Sequence, residues 1–131
     1  AYTAQEVAAA QHVPGKQVAK VVMVKAGKQL MMAVLPAPYR VDLKKLASAL
    51  GAKSARLARE EEFEGIFPDC EVGAMPPFGN LYQLPVYVDA SLTEDVEIVF
   101  QTGTHSDTMK IRYADYQRLA QPKVAEYARR P

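Results

Sequence analysis

The hydrophobic pattern is densest in the stretch Lys16–Ala26, whose β-branched residues and length predict a long strand. Side chains on a strand alternate between faces, so Val18, Lys20, Val22 and Val24 share one side, with Ala19, Val21, Met23 and Lys25 on the other. Gly27-Lys28 signals a hairpin turn, and Gln29–Leu35 reads as the returning strand. Pro36-Ala37-Pro38 breaks the sheet, and a helical period takes over. Leu43, Leu46, Ala47 and Leu50 make an apolar stripe, with Asp42 as N-cap and Gly51 closing the helix. Near the start, Thr3 and Glu6 form a capping-box pattern for a short helix through Val7–Ala10, ended by the Pro14-Gly15 turn.

Farther along, Ala55–Leu57 reads as a brief strand and Glu60–Phe67 as a second short helix, which Pro68 ends. Pro85–Asp89, Val96–Gln101 and Thr108–Tyr113 are expected strands, and Asp115–Ala120 and Lys123–Ala128 short helices separated by Pro122. The expected class is α+β: a mixed, largely antiparallel sheet curling toward a barrel, flanked by short helices. At 131 residues the chain is expected to be a single domain over 1–131.

Composition adds bounds. Hydrophobic residues make up 49% and charged residues 24%, as in soluble globular proteins. No apolar run is long enough to span a membrane, so no membrane partner is expected, and one cysteine, Cys70, fits a reducing, cytoplasmic setting. The net charge of +1 hides a segregation: residues 1–59 balance at +8, residues 60–107 at −11 and residues 108–131 at +4. Such asymmetry suggests a basic face for a polyanion, unless fold contacts interleave the blocks.

Most catalytic patterns are missing. There is no nucleophile elbow, no phosphate-binding glycine loop and no metal-ligand spacing among Cys70, His12 and His105. Neither a metal nor another cofactor is expected. His105, Ser106 and Asp107 are consecutive and cannot form a relay among themselves. Cys70 reads as a buried structural thiol rather than a nucleophile, and His12 as a surface or capping residue. Two features stand out. Lys20 sits in a valine register, where it either snorkels from an edge strand or faces a cavity and meets a carbonyl, phosphate or oxyanion. Val72–Asn80 (VGAMPPFGN) is a stiff loop of glycines and prolines, read either as a rigid turn or as a pocket wall built from backbone.

Lys20 in VAKVVMV, the loop Gly73-Ala74-Met75-Pro76-Pro77-Phe78-Gly79, and Gly103-Thr104-His105 before a strand and helix together resemble the YbaK/ProX family. These are freestanding aminoacyl-tRNA deacylases, similar to the editing insertion of bacterial prolyl-tRNA synthetase. The resemblance runs from Ala1 to about Ala128. Family members usually carry a helix and a strand before the position where this chain starts, which implies trimming. It further implies hydrolysis of the ester that joins a wrong, small amino acid to the 3′ end of proline tRNA. Lys20 would engage that terminus, residues Gly73 to Gly79 would cradle the aminoacyl group through their backbone, and Gly103, Thr104 and His105 would close the other side. Water would be activated with help from the tRNA's own 2′-hydroxyl. Pro76 stands where some members carry serine or threonine.

tRNA is the expected partner, with prolyl-tRNA synthetase a second. Lys16, Lys44, Lys45, Lys53 and Arg56 are the expected phosphate contacts. No basic recognition helix supports sequence-specific DNA binding. A non-catalytic tRNA-binding module on the same fold, and a hydrolase for a small ester metabolite, are the readings from other classes.

Overall fold

The Gly27-Lys28 turn joins β1 (Ala19–Ala26) and β2 (Gln29–Pro36) into an antiparallel hairpin, in register from Ala19↔Pro36 to Ala26↔Gln29. This is a computed structural model that describes residues 17–131. The expected helix at Val7–Ala10, the Pro14-Gly15 turn, His12 and Lys16 lie outside the described residues.

Around the hairpin, β4 (Arg56–Leu57), β5 (Val86–Asp89) and β8 (Lys123–Ala125) complete a five-stranded sheet in the order β4-β1-β2-β5-β8. β4 pairs antiparallel with β1, whereas β5 and β8 add parallel strands beside β2. The sheet is therefore mixed. A second antiparallel pair, β6 (Glu97–Gln101) with β7 (Thr108–Arg112), meets the start of β1 through a parallel bridge between Val18 and Val99. A small ladder joins β3 (Arg40–Val41) to β9 (Ala128–Arg129). The mixed α+β class read from the sequence is the class observed.

Strand alternation gives the sheet two apolar faces. On one, Ala19, Val21 and Met23 pack with Met32, Val34, Phe100 and Tyr116; on the other, Val22 and Val24 pack with Leu35, Tyr39, Leu46 and Tyr127. The second face is covered by α1 (Leu43–Leu50). Asp42 accepts from the backbone N–H groups of Lys44 and Lys45, and Gly51 closes the helix in the left-handed conformation. Leu46 is fully buried there, a burial worth ~1.5–3 kcal/mol.

Two expectations change. Glu60–Phe67 is not one helix: α2 (Glu60–Phe63) tightens into a 3-10 turn over Glu64–Ile66, before Phe67 and Pro68. Lys123–Ala128 is not a helix but the two strands β8 and β9. The cause is non-local. Asp89, buried at the end of β5, accepts from the N–H groups of both Tyr127 and Ala128 at 2.8 Å, and Tyr127 Oη donates to the carbonyls of Val34 at 2.8 Å and Tyr87 at 2.6 Å. These bonds hold the segment extended, overriding its helical composition. After Tyr113 begins α3 (Tyr113–Ala120), that helix instead packs on the first face.

Candidate functional site

The loop after Cys70 and the turn after β6 are tied together through their backbones. Glu71 N–H donates to Gly103 O at 2.7 Å, and Gly103 N–H donates to Ala74 O at 2.9 Å. Side chains add two further ties. His105 N–H donates to Glu71 Oε1 at 2.9 Å, and His105 Nε2 lies 2.8 Å from Val72 O. A carbonyl can only accept, so Nε2 carries the proton. Thr104 Oγ1 accepts from Asp107 N–H and donates to Asp107 Oδ2, which tightens the turn itself.

Backbone geometry explains the glycines. Gly73 has φ +84° and Gly103 φ +111°, the left-handed region that favours glycine. Gly73 is exposed, so the loop presents bare main chain there. Gly79 is required for space instead: a Cβ at this position would lie 2.7 Å from Val86 Cγ2 and 2.9 Å from Leu84 O.

The apolar side chains of the loop face inward. Met75 is buried, and Phe78 meets the rings of Phe100 and Tyr116 edge-on at 5.5 and 5.4 Å. Tyr116 Oη donates to Pro77 O at 2.8 Å, and its burial pushes the phenol pKa up, so it stays a protonated donor. Thus Pro76, Pro77 and Phe78 form a propped shelf whose shape is set from beneath. Beside Met75, a crevice lined by Phe63, Phe67, Cys70, Glu71 and Val72 has a volume of about 10 Å³, room for about one water molecule. Residues 73–79 and 103–105 are therefore brought together as one unit.

Lys20 is placed differently. Alternation along β1 sends it out on the face of Val22, Val24 and its cross-strand partner Leu35, whereas Met75 and Phe78 pack on the face of Val21 and Met23. The outer edge of β1 is bridged to Val99 at Val18 and paired with β4 at Val24 and Lys25. Lys20 thus lies on a stretch of edge between those two contacts. It is half-buried, and its pKa is lowered first by desolvation and then by the charge of Arg40.

Lys44, Lys45 and Lys53 gather around α1. Lys44 and Lys53 line a groove of about 430 Å³ on one side, and Lys44 and Lys45 line a shallower one, which Glu126 also borders. Arg56 does not join them. It makes a two-pronged ion pair with Glu62, at 2.7 and 2.8 Å, and Lys25 Nζ meets the same carboxylate at 3.0 Å. Arg56 foremost, then the Arg59 N–H and Lys25, hold Glu62 well below the usual carboxylate range. At this point the basic and acidic blocks of the sequence interleave. Glu71 and Tyr116 hold the loop without having stood out in the sequence, because each acts on a partner more than thirty residues away. Among the described residues, no group of three His, Cys, Asp or Glu is arranged to hold a metal ion.

A family model described as an aminoacyl-tRNA editing domain matches residues 1–119. The multifunctional Ser/Thr-tRNA deacylase ProXp-y of Escherichia coli (strain K12) is 35% identical over 102 residues, which make up 77% of this chain and 60% of that protein. Its counterpart in the O157:H7 strain aligns equally. The chain thus spans 60% of the length of these curated relatives. A solved structure described as a candidate trans-editing enzyme for prolyl tRNA synthetase superposes with a TM-score of 0.86 at 25% identity, covering 97% of this chain and 80% of that one. A scaffold protein from computational epitope grafting reaches 0.87 at 23% identity, covering 98% and 82%, a likeness of fold alone.

Proposed function

Because the chain belongs to the aminoacyl-tRNA editing domain family, we propose that it hydrolyses, in trans, the ester of tRNA carrying a wrong, small amino acid. Water adds across the ester, the acyl–oxygen bond breaks, and the free amino acid and the tRNA 3′-terminal hydroxyl leave. The observation that carries this reading is the backbone cradle of residues 71–74 and 103–105, locked by reciprocal main-chain bonds. Preorganised main-chain dipoles bind an aminoacyl ester without spending side-chain entropy, and they need no reorganisation as charge develops on its carbonyl oxygen. In this reading Lys20 engages the tRNA end from the β1 edge, and the 2′-hydroxyl of the terminal nucleotide assists the attacking water. Lys44, Lys45 and Lys53 supply phosphate contacts.

The shelf offers shape rather than side-chain hydrogen bonds, so it selects by size. Alanine and serine esters fit this filter, and the name of the Escherichia coli relative adds threonine to the substrates worth testing. Proline tRNA is the first tRNA to test, with prolyl-tRNA synthetase as the enzyme whose errors are corrected. The reaction belongs to the cytoplasm, where aminoacyl-tRNA is made.

The test is a panel of alanyl-, seryl-, threonyl- and prolyl-loaded tRNAs, scored for both binding and ester loss. The reading expects the small esters to be cleaved at least tenfold faster than the prolyl ester on proline tRNA. Binding without ester loss across the panel would make the protein a tRNA-binding module, and equal cleavage of alanyl and prolyl esters would remove the size filter.

A further inference from the structure

We propose that Arg40 and Arg129, beside Lys20, form a phosphate-binding pair that holds a backbone phosphodiester of the bound tRNA. The assignment rests on the tRNA reading above and adds to it a site outside the ester cradle. Arg40 and Arg129 are directly opposite each other in the antiparallel ladder of β3 and β9. Residues so paired project from the same side of the ladder with their Cβ atoms ~4.5–5.5 Å apart, and like charges there are mutually destabilising. The neighbouring pair, Val41 and Ala128, packs against the apolar second face, so the two arginines, both exposed, turn to solvent.

The surroundings add more positive charge than the nearby carboxylate, Asp42, offsets. Arg130 places its guanidinium 5.9 Å from the centre of the Tyr39 ring, and Lys20 is close enough to feel the charge of Arg40. Three other arginines, Arg56, Arg59 and Arg118, each meet a carboxylate. Among the described residues, no ion pair involves Lys20, Arg40, Arg129 or Arg130. Asp42, whose Oδ1 caps α1, is the carboxylate that feels Arg129, and it forms no ion pair with it. Two guanidinium groups held side by side match the planar, two-pronged hydrogen bonding that a phosphate accepts. Binding one removes the repulsion that the ladder builds in.

The test uses the whole chain and the double variant Arg40→Gln/Arg129→Gln, with Arg118→Gln as a control. Binding of uncharged tRNA is measured across a salt series. Each lost phosphate contact lowers the magnitude of the log–log salt slope by ~0.7–0.9, so the double variant, which loses one, should drop by about that amount, with KM for aminoacyl-tRNA up about fivefold or more and kcat unchanged. Arg40→Lys/Arg129→Lys should keep most of the slope. A double variant whose slope and KM match the wild type overturns the site, as would inorganic phosphate binding the pair as tightly as tRNA does. Because uncharged tRNA carries no ester, the binding result stands apart from hydrolysis. A wild type that binds through these arginines but cleaves nothing would sink the deacylase reading and leave the site standing.

Discussion

His105 hangs from Val72. Its Nε2 donates to the Val72 carbonyl at 2.8 Å while its own N–H is held by Glu71, so one residue of the turn is fixed at two points to the glycine–proline loop. The ring serves here as a brace between two pieces of backbone, and its proton-carrying nitrogen is already committed.

Removing the brace should therefore cost activity more than stability. His105→Ala and Glu71→Ala each delete an exposed hydrogen bond, worth ~0.5–1.5 kcal/mol at most. Deacylation is expected to fall about tenfold or more in kcat, because the cradle loses its geometry, while the denaturant midpoint moves little. Steady-state kinetics beside a urea titration check this; full activity in both variants would mean that the cradle does not depend on these ties.

Gly79→Ala should behave in the opposite way. The added methyl would press on Val86 Cγ2 at 2.7 Å and on the Leu84 carbonyl at 2.9 Å, and the latter is main chain that cannot swing aside. Overpacking of this kind costs ~1–3 kcal/mol. A thermal melt should show a lowered midpoint, and an unchanged one would contradict the close packing described here.

For Lys20→Ala, ester hydrolysis should drop by more than tenfold with the fold intact. The side chain is half-buried beside a like charge, so its loss relieves desolvation and repulsion rather than opening the core. Kinetics with circular dichroism decide the matter. Near-full activity would reduce Lys20 to an edge-strand lysine with no part in the reaction.

Acid should loosen the C-terminal strands through Asp89. Burial pushes its carboxyl upward, but hydrogen bonds from Ser91, Tyr127 and Ala128 together outweigh that and leave the pKa below the ordinary 3.8. The folded state then binds fewer protons than the unfolded one. The stabilisation is complete above pH 3.8 and is lost as the pH falls through the folded value. Asp89→Ala should cost about 2–3 kcal/mol at neutral pH, and its stability should vary less with pH below 4 than the wild type's. Glu62 titrates on the same side, so the difference between the two proteins, measured by denaturation at each pH, is the quantity to read. Parallel pH curves would rule Asp89 out.

What could be read from the sequence was whatever is decided within a few residues. Asp42 and Gly51 bracket α1 because caps act within one turn, and Gly27-Lys28 sets the β1–β2 register because a tight turn leaves no other choice. The glycine–proline loop and the 103–105 turn were recognisable as separate candidate elements, but their joining through Glu71 spans more than thirty residues. The same distance hid the strands at Lys123–Ala125 and Ala128–Arg129, which Asp89 and Tyr127 impose on a helix-prone segment. Period-two alternation put Lys20 on the correct side of β1, beside Val22 and Val24. Nothing local shows that the loop covers the other side.

The parallel pairing of β8 with β5 bears on where this domain can be divided. Sequence similarity to the family ends at residue 119, yet Tyr127 is only 1% exposed and Val88 pairs with Val124. A chain cut at the end of the family match would strip β5 of its neighbour and leave a bare row of amide and carbonyl groups along its flank. Such a flank is a template for another molecule's strand. The last dozen residues thus act as a built-in cover against self-association, and a shortened version should gather into aggregates rather than fold as a smaller domain.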